Sequence, residues 1–261
     1  MNDLSVSILL NNDLSMTVTP YTNMAKAVEE LIKKGIKNAG DPKDPDDCII
    51  CKEIYKRVFP FYNEEKCRGE TLNTYNSTFG RNFNYINKKE KPTTELLKKI
   101  DNFYQIFLTI GNFTILERGR NSINCRRGSC FGSIRDSWPL TLLCIQDYLS
   151  GFSKLTKNPL ENSFKNNKAT ISFFERYLKD KNGFELFCNE QYFKPQLYNN
   201  KFGSYIDENY NVKLDLFDKL SFSKPLPENL KEIEQYIECS TDKIIERGKI
   251  IINEYLIKNN N

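Results

Sequence analysis

Half of the chain's ten arginines, Arg118, Arg120, Arg126, Arg127 and Arg135, fall in one short stretch. Elsewhere the chain uses Lys, so the preference for Arg here is local. A guanidinium is a planar fork that donates in pairs to phosphate or carboxylate. Gly119, Gly128 and Gly132 in the same stretch let the backbone come close to an anion. The chemistry these residues point to is anion recognition: nucleic acid, a nucleotide or an acidic protein face. The same arginines would also serve internally, paired with an acidic helix such as Glu228 to Glu238. The pattern alone leaves both uses open.

The chain contains no histidine. That removes Ser-His-Asp and Cys-His catalysis, His-metal nucleases and His-ligated catalytic zinc. No Gly-rich phosphate loop, dinucleotide fingerprint or Ser nucleophile elbow takes their place. Among the eight cysteines, Cys48-Ile49-Ile50-Cys51 has zinc-knuckle spacing, and Cys125 and Cys130 lie close together in the Arg stretch. Four thiolates from these pairs would hold a structural zinc without histidine. A CxxC with apolar middle residues equally describes two small buried side chains. No cofactor is otherwise indicated. The acidic run Asp41, Asp44, Asp46 and Asp47 lacks the Gly-centred spacing of a calcium loop and reads as a solvated turn. Glu70 suits either a pocket wall or a cap and salt bridge. Phe59, Phe61, Tyr62, Phe173, Phe174, Tyr177, Tyr192 and Phe193 read as core. Tyr198, Tyr205 and Tyr210, in an Asn-rich stretch, suit a protein interface.

The elements that position these residues are mostly helical. Met24 to Lys37 reads as a helix capped by Thr22 or Asn23, and Cys48 to Phe59 as another that stops at Pro60. Gly69 to Tyr85 has weaker helical character. Thr93 to Leu108 is amphipathic with a Thr cap. Phe113 to Glu117 alternates as a short strand, and Gly119 to Gly132 has no apolar period and reads as a loop. Asp136 caps a helix with Pro139 in its first turn and Trp138, Leu142, Ile145 and Leu149 on its apolar face. Further helices fit Asn167 to Lys179, Gly183 to Phe193 and Pro227 to Lys258, the last divisible at Ser240-Thr241-Asp242. The expectation is a mainly α (α+β) fold with a small β element near residues 110–120. It would form one compact domain over residues 1–261, with room for an N-terminal helical subdomain over 1–40. No signal peptide or membrane-length apolar run is present, and the net charge is +4, so an intracellular, cytoplasmic protein is expected.

Three segments resemble an uncharacterised family of bacterial and prophage proteins: Cys67-Arg68-Gly69-Glu70-Thr71-Leu72-Asn73, Thr109-Ile110-Gly111-Asn112-Phe113, and Arg135-Asp136-Ser137-Trp138-Pro139-Leu140-Thr141-Leu142. Ile244-Ile245-Glu246-Arg247-Gly248 looks like that family's closing segment. The resemblance implies a mobile-element setting and no particular activity. More distantly, Ile110 to Leu116, with Asn121 and Phe131, looks like the second half of the HNH-type domains of modification-dependent restriction enzymes. In those enzymes an Asp-His pair supplies the base, which this chain lacks.

The expected function is a non-enzymatic binding protein of phage or mobile-element origin. It would occupy a host protein assembly, a nucleic-acid-targeting defence complex, through the Arg loop and the Tyr-rich segment. The alternative is a nucleic-acid- or nucleotide-binding protein on a degenerate HNH-like nuclease scaffold.

Overall fold

The computed structural model describes residues 4–10, 14–72, 86–130, 138–193, 205–214 and 227–259. It opens on a hairpin rather than a helix. Strands β1 (Val6–Leu10) and β2 (Leu14–Val18) pair antiparallel, with Val6 opposite Val18 and Ile8 opposite Met16. Val6, Ile8 and Val18 are buried while Ser7, Ser15 and Thr17 are exposed, the two-residue alternation of a half-covered sheet. Within residues 1–40, expected to be helical, strand thus precedes helix. Helix α1 (Met24–Lys33) follows, with Asn23 accepting from the Lys26 amide as its N-cap. Hairpin and helix share one apolar cluster with α2 (Ile49–Val58) and with the C-terminal helix.

Cys67–Thr71 is a strand, β3, and not the start of a helix. It pairs antiparallel with β4 (Phe113–Glu117), Cys67 opposite Glu117 and Thr71 opposite Phe113. All five β4 residues are buried, so its polar members need partners inside. Thr114 donates to Gln191 Oε1 at 2.7 Å, and the Glu117 carboxylate accepts from Thr170 Oγ1 at 2.7 Å. Helix α3 (Thr94–Ile106), capped by Thr93, precedes β4. After β4 come α4 (Ile123–Cys130), α5 (Trp138–Leu149), α6 (Glu161–Asn166), α7 (Lys168–Leu178) and α8 (Gly183–Glu190). The fold is thus mainly helical with two small antiparallel sheets among the described residues. Helix α4 occupies the stretch expected to be a loop. Its composition is poor for a helix, and contacts with β4 and α6 stabilise it.

The spine is α9 (Leu230–Asn259), 30 residues and so about 45 Å long. It runs unbroken through Ser240 and Thr241; Ser240 is fully buried, so tertiary packing overrides the second cap expected there. It packs against β1, α2, α3 and a 3₁₀ turn at Ile110–Asn112. At that turn the backbones nearly touch. A Cβ on Gly111 would lie 1.9 Å from the Ile244 carbonyl oxygen and 2.6 Å from the Gly248 amide nitrogen. Next to this contact the fully buried Arg247 donates to the carbonyls of Gly111 (2.8 Å), Phe113 (2.6 Å) and Gln191 (3.0 Å).

Gly111→Ala should therefore force α9 off the turn and cost about 3 kcal/mol or more, the upper range of overpacking. Gly119→Ala, whose Cβ meets the Ala169 methyl at 3.0 Å and the Ser122 Cβ at 3.8 Å and no backbone atom, should cost less than about 1.5 kcal/mol. Urea unfolding of both variants checks this, and equal losses would mean the Gly111 contact relaxes freely.

Candidate anion-binding cleft

Strand pairing sets the first wall of the site. The Arg118 amide donates to the Lys66 carbonyl at 2.7 Å, extending the β3–β4 ladder by one step and placing these two cations side by side in the chain path. The turn out of β4 reverses at Asn121, which has φ +62°, a left-handed position that Asn tolerates. Asn167, the cap of α7, donates through Nδ2 to the Arg120 carbonyl at 2.8 Å. Thr170 on the next turn holds Glu117. These bonds set α7 across the end of the ladder. Ala169, Ser172, Phe173 and Arg176, spaced at helical intervals, then line the second wall.

Between the walls lies a cleft of about 520 Å³, lined by Phe61, Asn63, Glu65, Lys66, Cys67 and Arg118 on one side and Lys168 to Arg176 on the other. Four cations face it against one carboxylate, Glu65. Arg118 is held from behind, its Nη2 donating to both oxygens of Asp47 at 3.0 and 2.9 Å. Arg176 pairs with Glu190 and stacks 5.4 Å over the Phe61 ring. Lys66 and Lys168 are exposed and have no acidic partner among the described residues. Phe61 and Phe173 meet edge to face, centroids 6.0 Å apart. Cys67 is buried, and burial pushes its thiol up, away from thiolate chemistry.

The five arginines part company. Arg118 lines the cleft, and Arg120 and Arg126 are exposed. Arg127 is only 2% exposed and takes the internal use: helix α4 turns it inward. It donates to Glu70 Oε2 and the Thr71 carbonyl, both at 3.0 Å, and lies 5.6 Å over the Trp138 ring. The acidic partners are thus Asp47 and Glu70, whereas Glu234 and Glu238 on α9 bind Lys99. Arg135 lies outside the described residues, as does the Cys130 side chain.

The acidic run is not a solvated turn. Arg68 donates to both oxygens of Asp44 at 2.8 and 2.7 Å, and Asp46 is buried. Burial pushes the Asp46 carboxyl up, and its hydrogen bond to Asp44, with Arg68, holds Asp44 low. Among the described residues the cysteines form no metal-binding group. Cys48 and Cys51 are buried at the start of α2, where Cys48 Sγ accepts from the Cys51 amide, and Cys125 is exposed. Among the described residues no group of three or more His, Cys, Asp or Glu is placed to hold a metal ion. Tyr205, expected at an interface, is fully buried against Phe193, with Lys243 5.1 Å over its ring. Tyr210 is half-buried and donates to Asn189 Oδ1 at 2.9 Å. Tyr198 lies outside the described residues.

Residues 70–251 match a family of unknown function, DUF6994. The chain belongs to that family. No curated protein and no solved structure matches it. The matched span supplies Arg118 and all of α7 to the cleft, while Phe61 to Cys67 precede it. No described helix is long and apolar enough to cross a membrane.

Beneath α7 sits one buried carboxyl. Glu117 Oε1 accepts from Thr170 Oγ1 and the Ile123 amide (2.8 Å), while Oε2 meets no donor among the described residues. Burial raises its pKa from 4.5 to about 7. As pH rises, the unfolded chain releases this proton first. Glu117's contribution is therefore fully present below about pH 4.5, declines between 4.5 and 7, and is flat above. The decline amounts to about 3 kcal/mol. Glu117→Gln should keep the neutral hydrogen bonds and remove this component. Urea unfolding from pH 4.5 to 8 should show a smaller loss of stability in the variant. Identical pH slopes would place the Glu117 titration elsewhere.

Proposed function

We propose that the protein is a binding protein that recognises a phosphate-bearing partner in the cleft between the β3–β4 ribbon and α7. The observation that carries this reading is the lining: Lys66, Arg118, Lys168 and Arg176 against Glu65. Two of these cations are aimed by carboxylates outside the cleft, which orient the forks and leave further donors for a ligand. The two lysines supply mobile charge. A partly enclosed cleft screens these charges less than open water does, which favours an anion inside it.

The wider setting expected from the sequence, a mobile-element protein that occupies a host nucleic-acid-targeting assembly, is a second level of the same proposal. The exposed Arg120 and Arg126, on the turn beside the cleft and on α4, favour it. They would contact the acidic surface of such an assembly while the cleft holds a phosphate.

The test is charge reversal on the exposed lysines. Lys66→Glu combined with Lys168→Glu should weaken binding of inorganic pyrophosphate at least tenfold, with thermal stability within about 2 °C of the parent. Arg120→Glu with Arg126→Glu should leave pyrophosphate binding intact and remove macromolecular partners from a pull-down. Unchanged pyrophosphate affinity in the lysine variant would overturn the cleft reading.

A further inference from the structure

The cleft has an apolar feature that a simple anion site does not need. The rings of Phe61 and Phe173 stand 83° apart with centroids at 6.0 Å, forming an L-shaped apolar corner inside the cationic cleft. Both are half-buried, so each keeps an open face or edge. The Arg176 guanidinium over Phe61 and its pairing with Glu190 fix the corner from one side. Phe59 packs edge-on against Phe61 at 5.9 Å and fixes it from another. A rigid aromatic corner beside cations suits a ligand that joins a flat ring to a phosphate.

Resting on the phosphate-binding reading above, we propose that the cleft takes a single nucleotide, a nucleoside mono- or diphosphate. The base packs into the Phe61–Phe173 corner, and Asn63, Glu65 and Ser172, the polar lining residues without positive charge, read its edge. Glu65 offers only acceptors, which selects bases that carry an exocyclic amino group. Lys66, Lys168 and the open donors of Arg118 take the phosphate. Size favours one nucleotide over a strand: about 520 Å³ lies in the range of small-ligand sites, and the two rings form one corner rather than a row of platforms.

Calorimetric titration of the full chain separates the possibilities. The ligands are AMP, ribose 5-phosphate, inorganic pyrophosphate, phosphotyrosine and an oligothymidylate of eight residues. AMP, which differs from ribose 5-phosphate by the base alone, should bind at least tenfold more tightly. Phe61→Leu or Phe173→Leu, which keep apolar volume and lose the ring, should remove that advantage and leave ribose 5-phosphate affinity unchanged. Using both variants guards against one that folds poorly, and the wild-type ligand comparison needs neither. Equal affinity for AMP and ribose 5-phosphate would overturn the nucleotide inference while the phosphate reading stands. Tenfold tighter binding of phosphotyrosine or of the oligonucleotide than of AMP would overturn it as well. No binding of any of the five ligands would overturn both.

Discussion

The guanidinium of Arg247 ties α9 to two distant pieces of chain through three carbonyls. Its bonds to the carbonyls of Gly111, Phe113 and Gln191 reach the 3₁₀ turn before β4, the first residue of β4 and the end of α8. A buried charge is costly to desolvate, and this one recovers the cost through charge-assisted bonds to backbone oxygens that would otherwise lie buried. The Phe193 ring, 5.1 Å from the guanidinium, covers it. The arrangement requires the helix axis to approach the turn closely, which is why a glycine stands at Gly111, where a Cβ would run into the Ile244 carbonyl and the Gly248 backbone.

From this anchor the candidate site follows by short steps. Fixing Phe113 fixes the register of β4, and with it the pairing that sets Glu70 and Arg68 on β3 and Arg118 just past β4. Glu70 then receives Arg127, whose guanidinium roofs Trp138 at the start of α5. Glu117 at the other end of β4 receives Thr170 and so seats α7. The described parts of the four family-like segments thus belong to one connected framework, in which Cys67 to Thr71 pairs with the strand begun by Phe113. The cleft opens at the edge of that framework. Its charge comes from residues the framework aims, Arg118 and Arg176, and from lysines that it leaves in solvent.

Local signals were legible in the sequence; non-local ones were not. Asn23, Thr93 and Asn167 all cap the helices expected of them, because a side chain bonding to an amide three residues on is a local event. The strand at Phe113–Glu117 lies where its alternation puts it. Its partner β3, whose second half falls in the weakly helical stretch from Gly69, is not legible because the pairing that makes it a strand spans a long stretch of chain, and five residues carry little propensity of their own. Gly, Ser and Arg mask helix α4, and β1 and β2, at five residues each, are too short to carry a strong alternation. Of the cleft, only Arg118 stood out. Lys66 and Lys168 vanish in a Lys-rich chain, and Phe61, Phe173 and Arg176 carry no sign that they face a space rather than a core. Which arginines face solvent was not legible, because helical geometry turns Arg127 inward while leaving Arg126 outside.

The most direct measurement maps where an anion settles on the unaltered protein. Backbone amide signals recorded during a titration with inorganic pyrophosphate would read this without any substitution. Saturable shifts concentrated on residues 61–67, Arg118 and residues 168–176 are the result expected of a phosphate-binding cleft. Shifts centred instead on Arg120 and Arg126, or spread without saturation over the lysine-rich surface, would contradict it.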